Sequence, residues 1–417
     1  MLKLFKATGP SGMVHMSTWI KGEDLDIFAT AYLAGMKEQP DNTRENHFAA
    51  LNTLRIACKL YDIYQFDFRM SYGIGVDRAL LRRINEAFNY KKKDLQKVLE
   101  RKKTGADLFD IATQLNALPP AETSTIKNRK IALRRYLNWL LDHGDRVLRN
   151  YHVSPEETAK RKQLRANVEE VVVVARQASF KLRSKLNPYD LLLLEDFMES
   201  YDFRDVWKEE VTGLRNKVMF DLQFYGTLRT GEVLLLKHND TKPGRRDYPN
   251  EIRIEDRRND PEETRIRRPA AKTGAGVVTV PEPTFKLIEE WKDAFLDIED
   301  DALELGLHHR MEHNFMFVNT SRRMKKYYGR PLTISGYNFA FKSLCEAAGI
   351  KGRLGPHALR HLCAMRYVRR RKQQGNSNDI IIRDMCQFFR WSRTSDMPKL
   401  YSAHENHASL YEAMEQD

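Results

Sequence analysis

Apolar residues spaced three and four apart recur along most of this chain, and that spacing commits it to helices that each bury one stripe. From Thr43, which can cap a helix, the run Phe48, Leu51, Leu54, Cys58 and Tyr61 obeys the rule. Leu118-Pro119-Pro120 breaks the chain. After it, Ser124 or Thr125 can cap a second helix with Leu133, Tyr136, Leu137, Leu140 and Leu141 on its apolar face, and Gly144 is expected to stop it. The opposite face carries Lys127, Arg129, Lys130, Arg134 and Arg135, which fits a phosphate backbone as well as it fits a plain solvated surface. Two basic clusters at 91–93 and 101–103 bracket a periodic stretch at 95–99 and read as a solvated face.

Residues 153–185 are charged and lack a clean breaker, so they read as a helical connector, although 171–174 fits strand or helix. Asn187-Pro188-Tyr189-Asp190 then supplies a turn and a cap where a further domain starts. Helical periodicity through Phe220 and Phe224 leads to Gly226 and a second helix over 230–237. Short β-like runs follow at 251–254, at 265–268 and, after the turn Lys272-Thr273-Gly274, at 277–280. The remainder reads as helices, with no internal repeat. The expected class is mainly α with a small antiparallel sheet. The segments are a helical N-terminal region over 1–104, a helical part with its connector over 105–185, and a C-terminal domain over 186–417.

Composition narrows the function. Lysine and arginine number 70 against 57 acidic residues, a net charge of +13 over 417 residues, which points to a polyanionic partner because neutralising phosphates releases counterions. The longest apolar runs, 171–175 and 191–194, fall far short of the roughly 18 residues a membrane span needs. Residues 1–22 lack the apolar core of a secretory signal. Cys58, Cys345, Cys363 and Cys386 form no C-x-x-C pair, which argues against a disulfide framework or a cysteine zinc site and fits a reducing cytosol.

Three islands could carry chemistry. In Tyr225-Gly226-Thr227-Leu228-Arg229-Thr230-Gly231-Glu232, Arg229 and Glu232 share a helix face, as an ordinary surface ion pair would also do. Lys272 sits at a glycine-containing turn, where an exposed hairpin lysine is the plain reading. The third island, Gly355-Pro356-His357-Ala358-Leu359-Arg360-His361, is stronger. His357, Arg360 and His361 present two imidazoles and a guanidinium on one helix face, costly to crowd unless an anion sits among them. Residues 351–374 hold eight lysines and arginines and no acid. Phe388-Phe389-Arg390-Trp391 and Lys399-Leu400-Tyr401-Ser402-Ala403-His404 follow.

The order of these groups resembles the catalytic domain of the tyrosine recombinases, the family of phage integrases and chromosome-dimer resolvases: Arg229 with Glu232, Lys272, His357-x-x-Arg360-His361, Trp391 and then Tyr401. The resemblance covers about 186–412, and the 124–144 helix resembles part of that family's DNA-clamping core-binding domain. Residues 1–104 do not resemble the small β-rich arm-binding domain of some phage integrases. The resemblance implies a C-shaped clamp on duplex DNA with Tyr401 as nucleophile and with Arg229 and Arg360 on the non-bridging phosphate oxygens. Lys272 would be general acid for the leaving 5′ oxygen, His357 would assist proton transfer, and the Trp391 indole would donate to the phosphate. Glu232 and His361 would orient these groups, and Lys127, Arg129, Lys130 and Arg134 would bind DNA. Trp391 lies one position further from Tyr401 than is usual in the family, and residues 240–269 are long for its first β-turn region.

The implied activity is site-specific cutting and rejoining of duplex DNA through a 3′-phosphotyrosine, with no cofactor, metal or ATP. The protein would be an integrase or transposase of a mobile element, nucleoid-associated in a prokaryotic cytoplasm. It would act as a tetramer in the synaptic complex, as a monomer when free, with accessory DNA-bending factors. The tail from Ser402, with Ala403, His407, Leu410 and Met414 at helical spacing, would dock on a neighbouring subunit. Two other classes compete. A protein that clamps DNA without cutting it would bind with no covalent adduct. His309-Arg310-Met311-Glu312-His313 matches the H-x-x-E-H pattern of inverted zinc peptidases, with both histidines on one helix face and Glu312 as base. A type IB topoisomerase would use groups similar to a recombinase's and would relax DNA generally.

Overall fold

A computed structural model describes residues 2–8, 14–20, 25–37, 39, 41–103, 105, 113–147, 154–174, 187–245, 249–257, 260–271, 274–352, 354–399 and 401. The chain divides into two compact units, Met1–Ala178 and Ser179–Asp417.

The first unit opens with strands β1 (Leu2–Thr8) and β2 (Val14–Ile20), paired antiparallel with Leu2 opposite Ile20. This corrects the all-helical expectation for the first hundred residues; two seven-residue strands are shorter than the window over which periodicity can be judged. Helices α1 (Ile27–Gly35), α2 (Asp41–Leu60), α3 (Phe66–Tyr72), α4 (Arg78–Ala87), α5 (Lys92–Lys103), α6 (Thr123–Val147) and α7 (Pro155–Val171) follow. The apolar stripes read from the sequence form the core: Leu51, Leu54 and Cys58 of α2 pack with Leu133, Tyr136, Leu137, Leu140 and Leu141 of α6. In α5, Leu95, Val98 and Leu99 are buried while the flanking basic residues are largely exposed. Ser154 and Glu157 start α7 with a reciprocal capping box.

Gly144 does not stop α6. It lies inside the helix, where an added Cβ would stand 1.9 Å from Ser71 Oγ and 2.6 Å from Ser71 Cβ of α3. The glycine is there because two helices touch.

The second unit contains α8 (Pro188–Ser200), which Asn187 caps as expected, α9 (Phe203–Val206), α10 (Glu210–Phe224) and α11 (Thr230–Leu234). A three-stranded antiparallel sheet follows in the order β3 (Thr241–Lys242), β4 (Asn250–Ile254), β5 (Gly276–Val280), with Ile252 opposite Val278. Then come α12 (Glu282–Glu304), α13 (Ile334–Ala347), α14 (His357–Gln373) and α15 (Asn378–Phe388). The architecture is mainly α with a small antiparallel sheet. The helix expected over 230–237 ends at Leu234, with Leu235 and Leu236 continuing into the core.

The β-like run at 265–268 is not a strand. Its alternation is inverted: Arg265 is buried and Ile266 is 84% exposed. Arg265 Nη1 donates to the carbonyls of Leu234 and Leu332, both at 2.9 Å, and its guanidinium pairs with buried Glu263. A buried guanidinium that satisfies orphan carbonyls reads as a surface residue in any hydropathy pattern.

Candidate active site

Two helix starts and one helix end build the site. Helix α10 has both polar and apolar residues buried along most of its length and carries the chain to Arg229, the N-cap of α11. There Glu232, on the first turn, accepts the Arg229 N–H at 2.8 Å on Oε2 and Arg229 Nη1 at 3.0 Å on Oε1. The pair expected as a surface contact is therefore enclosed: the Glu232 side chain is 1% exposed.

Helix α14 begins at His357 after Pro356 and buries Ala358, Leu359, Leu362, Cys363, Ala364 and Val368. Because that apolar face is fixed in the core, Arg360 is pulled inside with it, and Nη2 donates to the Phe389 carbonyl at 2.6 Å. The guanidinium lies over the rings of Phe389 and Trp391, 5.3 and 5.8 Å from their centroids. Burial, helped by the nearby charge of Arg229, brings its pKa down to about 10. The exposed His357 ring meets that of His361 edge to face, with centroids 4.7 Å apart.

Tyr401 is buried at 3% exposure. Its hydroxyl is hydrogen-bonded to His361 Nδ1. One face of its ring stacks on Trp391 at 5.7 Å and 5°, and Trp391 stacks in turn on Phe389 at 4.7 Å. Burial pushes the phenol pKa up and the Arg360 charge opposes it, so the hydroxyl is held neutral at ordinary pH.

Arg390 also belongs to this site. It was visible in the sequence only as a basic residue before Trp391, and nothing in its spacing marked it. Its Nη2 donates to Glu232 Oε1 at 2.7 Å and to the Gly274 carbonyl at 3.3 Å. Burial would raise the Glu232 pKa, but the Arg229 N–H and the charges of Arg390, Arg229 and Arg360 outweigh it and hold the carboxyl below its usual range. Three guanidiniums thus face one carboxylate, 3 − 1 = +2. The start of α14 adds two imidazoles and the positive end of a helix dipole. This concentration of donors suits an anion with several oxygens.

The structure brings together Arg229, Glu232, His357, Arg360, His361, Trp391 and Tyr401. Lys272 and the tail from Ser402 lie outside the described residues. The basic residues of α6 belong to the first unit. There Arg129 donates to the Tyr90 carbonyl at 2.8 Å, Arg134 pairs with Glu169, and Lys127 and Lys130 are half-buried.

The zinc-peptidase alternative loses its geometry. Residues 309–313 are not on an α-helix: a 3-10 turn, His308–Arg310, ends there, and His309 and Glu312 are exposed. His313 instead uses Nε2 on the Gly329 carbonyl and Nδ1 on the Phe315 N–H. No group of three or more metal-ligating side chains occurs among the described residues, nor is any described helix long and apolar enough to cross a membrane.

The model of the phage integrase family matches residues 197–374. No curated protein matches the chain. Solved structures with a similar chain include XerA recombinase, at 15% identity over 93% of this chain and 96% of that one with a TM-score of 0.34. A post-cleavage complex of XerH site-specific recombinase with palindromic difH substrate aligns at 13% identity over 87% and 95%, TM-score 0.39. The Tn1549 transposon integrase in complex with transposon right end DNA aligns at 12% over 92% and 98%, TM-score 0.38. The family match spans the start of the site at Arg229 and Glu232 and its centre at His357, Arg360 and His361, and over residues 197–374 this chain carries a domain of the phage integrase family, the tyrosine recombinases.

Proposed function

We propose that the protein is a site-specific DNA recombinase that cuts and rejoins duplex DNA through a covalent bond to Tyr401. The observation that carries this reading is the Tyr401 hydroxyl on His361, between Trp391 and Arg360. A phenol is a poor nucleophile at neutral pH, and here a base contacts it while cations stand where a phosphate would sit. In the proposed step the Tyr401 oxygen attacks phosphorus, its proton passes to His361, and the bond to the 5′ oxygen breaks. Lys272 gives that oxygen its proton. Arg229 and Arg360 hold the non-bridging oxygens as charge builds on them, the Trp391 indole adds a donor, and His357 assists proton movement. The phosphotyrosine stores the bond energy, so strands reseal without ATP.

The finer parts of the reading are integration or transposition of a mobile element, tetrameric synapsis with a docking tail, and basic α6 residues on the DNA backbone. The net charge of +13 supports a nucleic-acid partner, and a nucleoid-associated, prokaryotic setting suits a mobile-element enzyme.

Covalent trapping tests the function. Wild-type and Tyr401→Phe protein are incubated with a host or element DNA library in chelator, denatured in detergent, and the trapped DNA is sequenced. An adduct with wild type alone supports the reading and yields the site. An adduct with both proteins shows that another residue is the nucleophile.

A further inference from the structure

Arg390 occupies a position that helix termination alone would give to glycine. Its φ is 53°, in the left-handed region where a Cβ is crowded. It directly follows Phe389, the C-cap of α15. Its N–H donates to the Gln387 carbonyl at 3.1 Å, and that of Trp391 to the Cys386 carbonyl at 2.8 Å. This pair of bonds is a helix stop in which the left-handed residue is usually glycine, because glycine pays no steric penalty there. The backbone therefore gains nothing from an arginine, and its side chain must account for it.

That side chain joins two segments distant in sequence. One nitrogen, Nη2, bonds Glu232 on α11 and the carbonyl of Gly274, two residues after Lys272. The stem crosses the start of β5, where a Cβ on Gly276 would stand only 3.1 Å from Arg390 Cδ. Neutralising Glu232 explains only part of this, since Arg229 already gives that carboxylate an N–H and a guanidinium nitrogen. The bond to Gly274 serves something else. Burial next to Arg229 also lowers the Arg390 pKa, so the cation sits where its charge is disfavoured.

We propose that Arg390 is a positioning residue that ties the turn after Lys272 to the Arg229–Glu232 pair, so that the lysine proton arrives where the arginines hold the phosphate. This rests on the recombinase reading above. It assigns Arg390 no contact with DNA. Its effect passes through the lysine turn.

The test uses the full chain with Arg390→Gly, which relaxes the backbone, and Arg390→Lys, which keeps a cation for Glu232. Hydrogen exchange is measured at the amides of Gly274, Ala275 and Gly276 without DNA. Cleavage is then measured on the site that wild type traps, with an ordinary 5′ oxygen and with a bridging 5′ sulfur that leaves without a proton. In both variants the three amides should exchange at least about tenfold faster, as expected for loss of a charge-assisted hydrogen bond, while α12 and α14 keep their protection. Cleavage in Arg390→Gly should fall about 10²-fold on the oxygen substrate, the scale of a small misplacement, and only a few-fold on the sulfur substrate. Unchanged exchange, equal losses on both substrates, or loss of protection throughout the unit in both variants would overturn the proposal. Absence of an adduct from wild type would instead count against the recombinase reading, and the exchange result would still decide whether the tie exists.

Discussion

His361 Nδ1 is the atom that meets the Tyr401 hydroxyl, while His357, the first residue of the same helix, meets only the edge of the His361 ring in the interactions that define this pair. With Nδ1 unprotonated the phenol donates to it, so His361 is placed to take the proton as Tyr401 attacks. His361→Ala should lower the rate of adduct formation by about 10²-fold or more, within the range for losing a general base. DNA binding should change little. A rate within a few-fold of wild type would assign the proton elsewhere.

Removing either phosphate-facing arginine should separate binding from chemistry. Arg229→Ala and Arg360→Ala should each lose about 10²–10³-fold in cleavage rate, since each supplies forked donors to the transition state. Lysine should not restore the rate, because it lacks the planar fork. Band shifts and adduct yields on one duplex check both parts, and parallel losses in the two would show that the arginines serve binding alone.

Trp391 is a different case. Its ring is stacked between Phe389 and Tyr401. Trp391→Ala should reduce cleavage by about tenfold, the scale of one aromatic stacking pair, and thus less than either arginine loss. A complete block in the adduct assay would mean that the indole does more than hold the phenol and support the phosphate.

Glu232 makes the second unit sensitive to acid. Its folded pKa lies below the ordinary value of 4.5, so the carboxylate contributes stability that is fully present above about pH 4.5 and lost as pH falls through the folded value. Glu232→Gln should flatten the acid limb of the unfolding midpoint between pH 6 and 3. At neutral pH it should destabilise by about 3–5 kcal/mol, since it leaves buried cations without their counter-charge. An acid limb identical to that of wild type would show that Glu232 is not its source.

Gly144→Ala should destabilise the first unit by about 1–3 kcal/mol through overpacking against Ser71. Ser71 has little freedom to yield, because its hydroxyl bonds the Asp67 carbonyl at 2.7 Å within its own helix. Urea unfolding of the full chain reads the loss, and adding Ser71→Gly should recover part of it. No change in midpoint would refute the close contact.

By itself the sequence determined what depends on neighbours along the chain. Spacing of three and four set the stripes of α2 and α6, Asn187-Pro188 started α8, and the i, i+3, i+4 relation put His357, Arg360 and His361 on one side of α14. Alternation gave the inward residues Ile252, Ile254, Val278 and Val280 of β4 and β5. These are local rules, so the order of types along the chain is enough to apply them.

Only the tertiary structure decided which distant groups touch. It set His361 rather than His357 on the phenol, enclosed Glu232 among three arginines, and turned Arg390 back to Gly274. It also kept Gly144 inside a helix and buried Arg265 under two carbonyls, against the local reading of both residues. In each case the deciding partner lies on another element. Close packing and the need to satisfy buried polar groups outweigh local preference there, and neither can be seen from spacing alone.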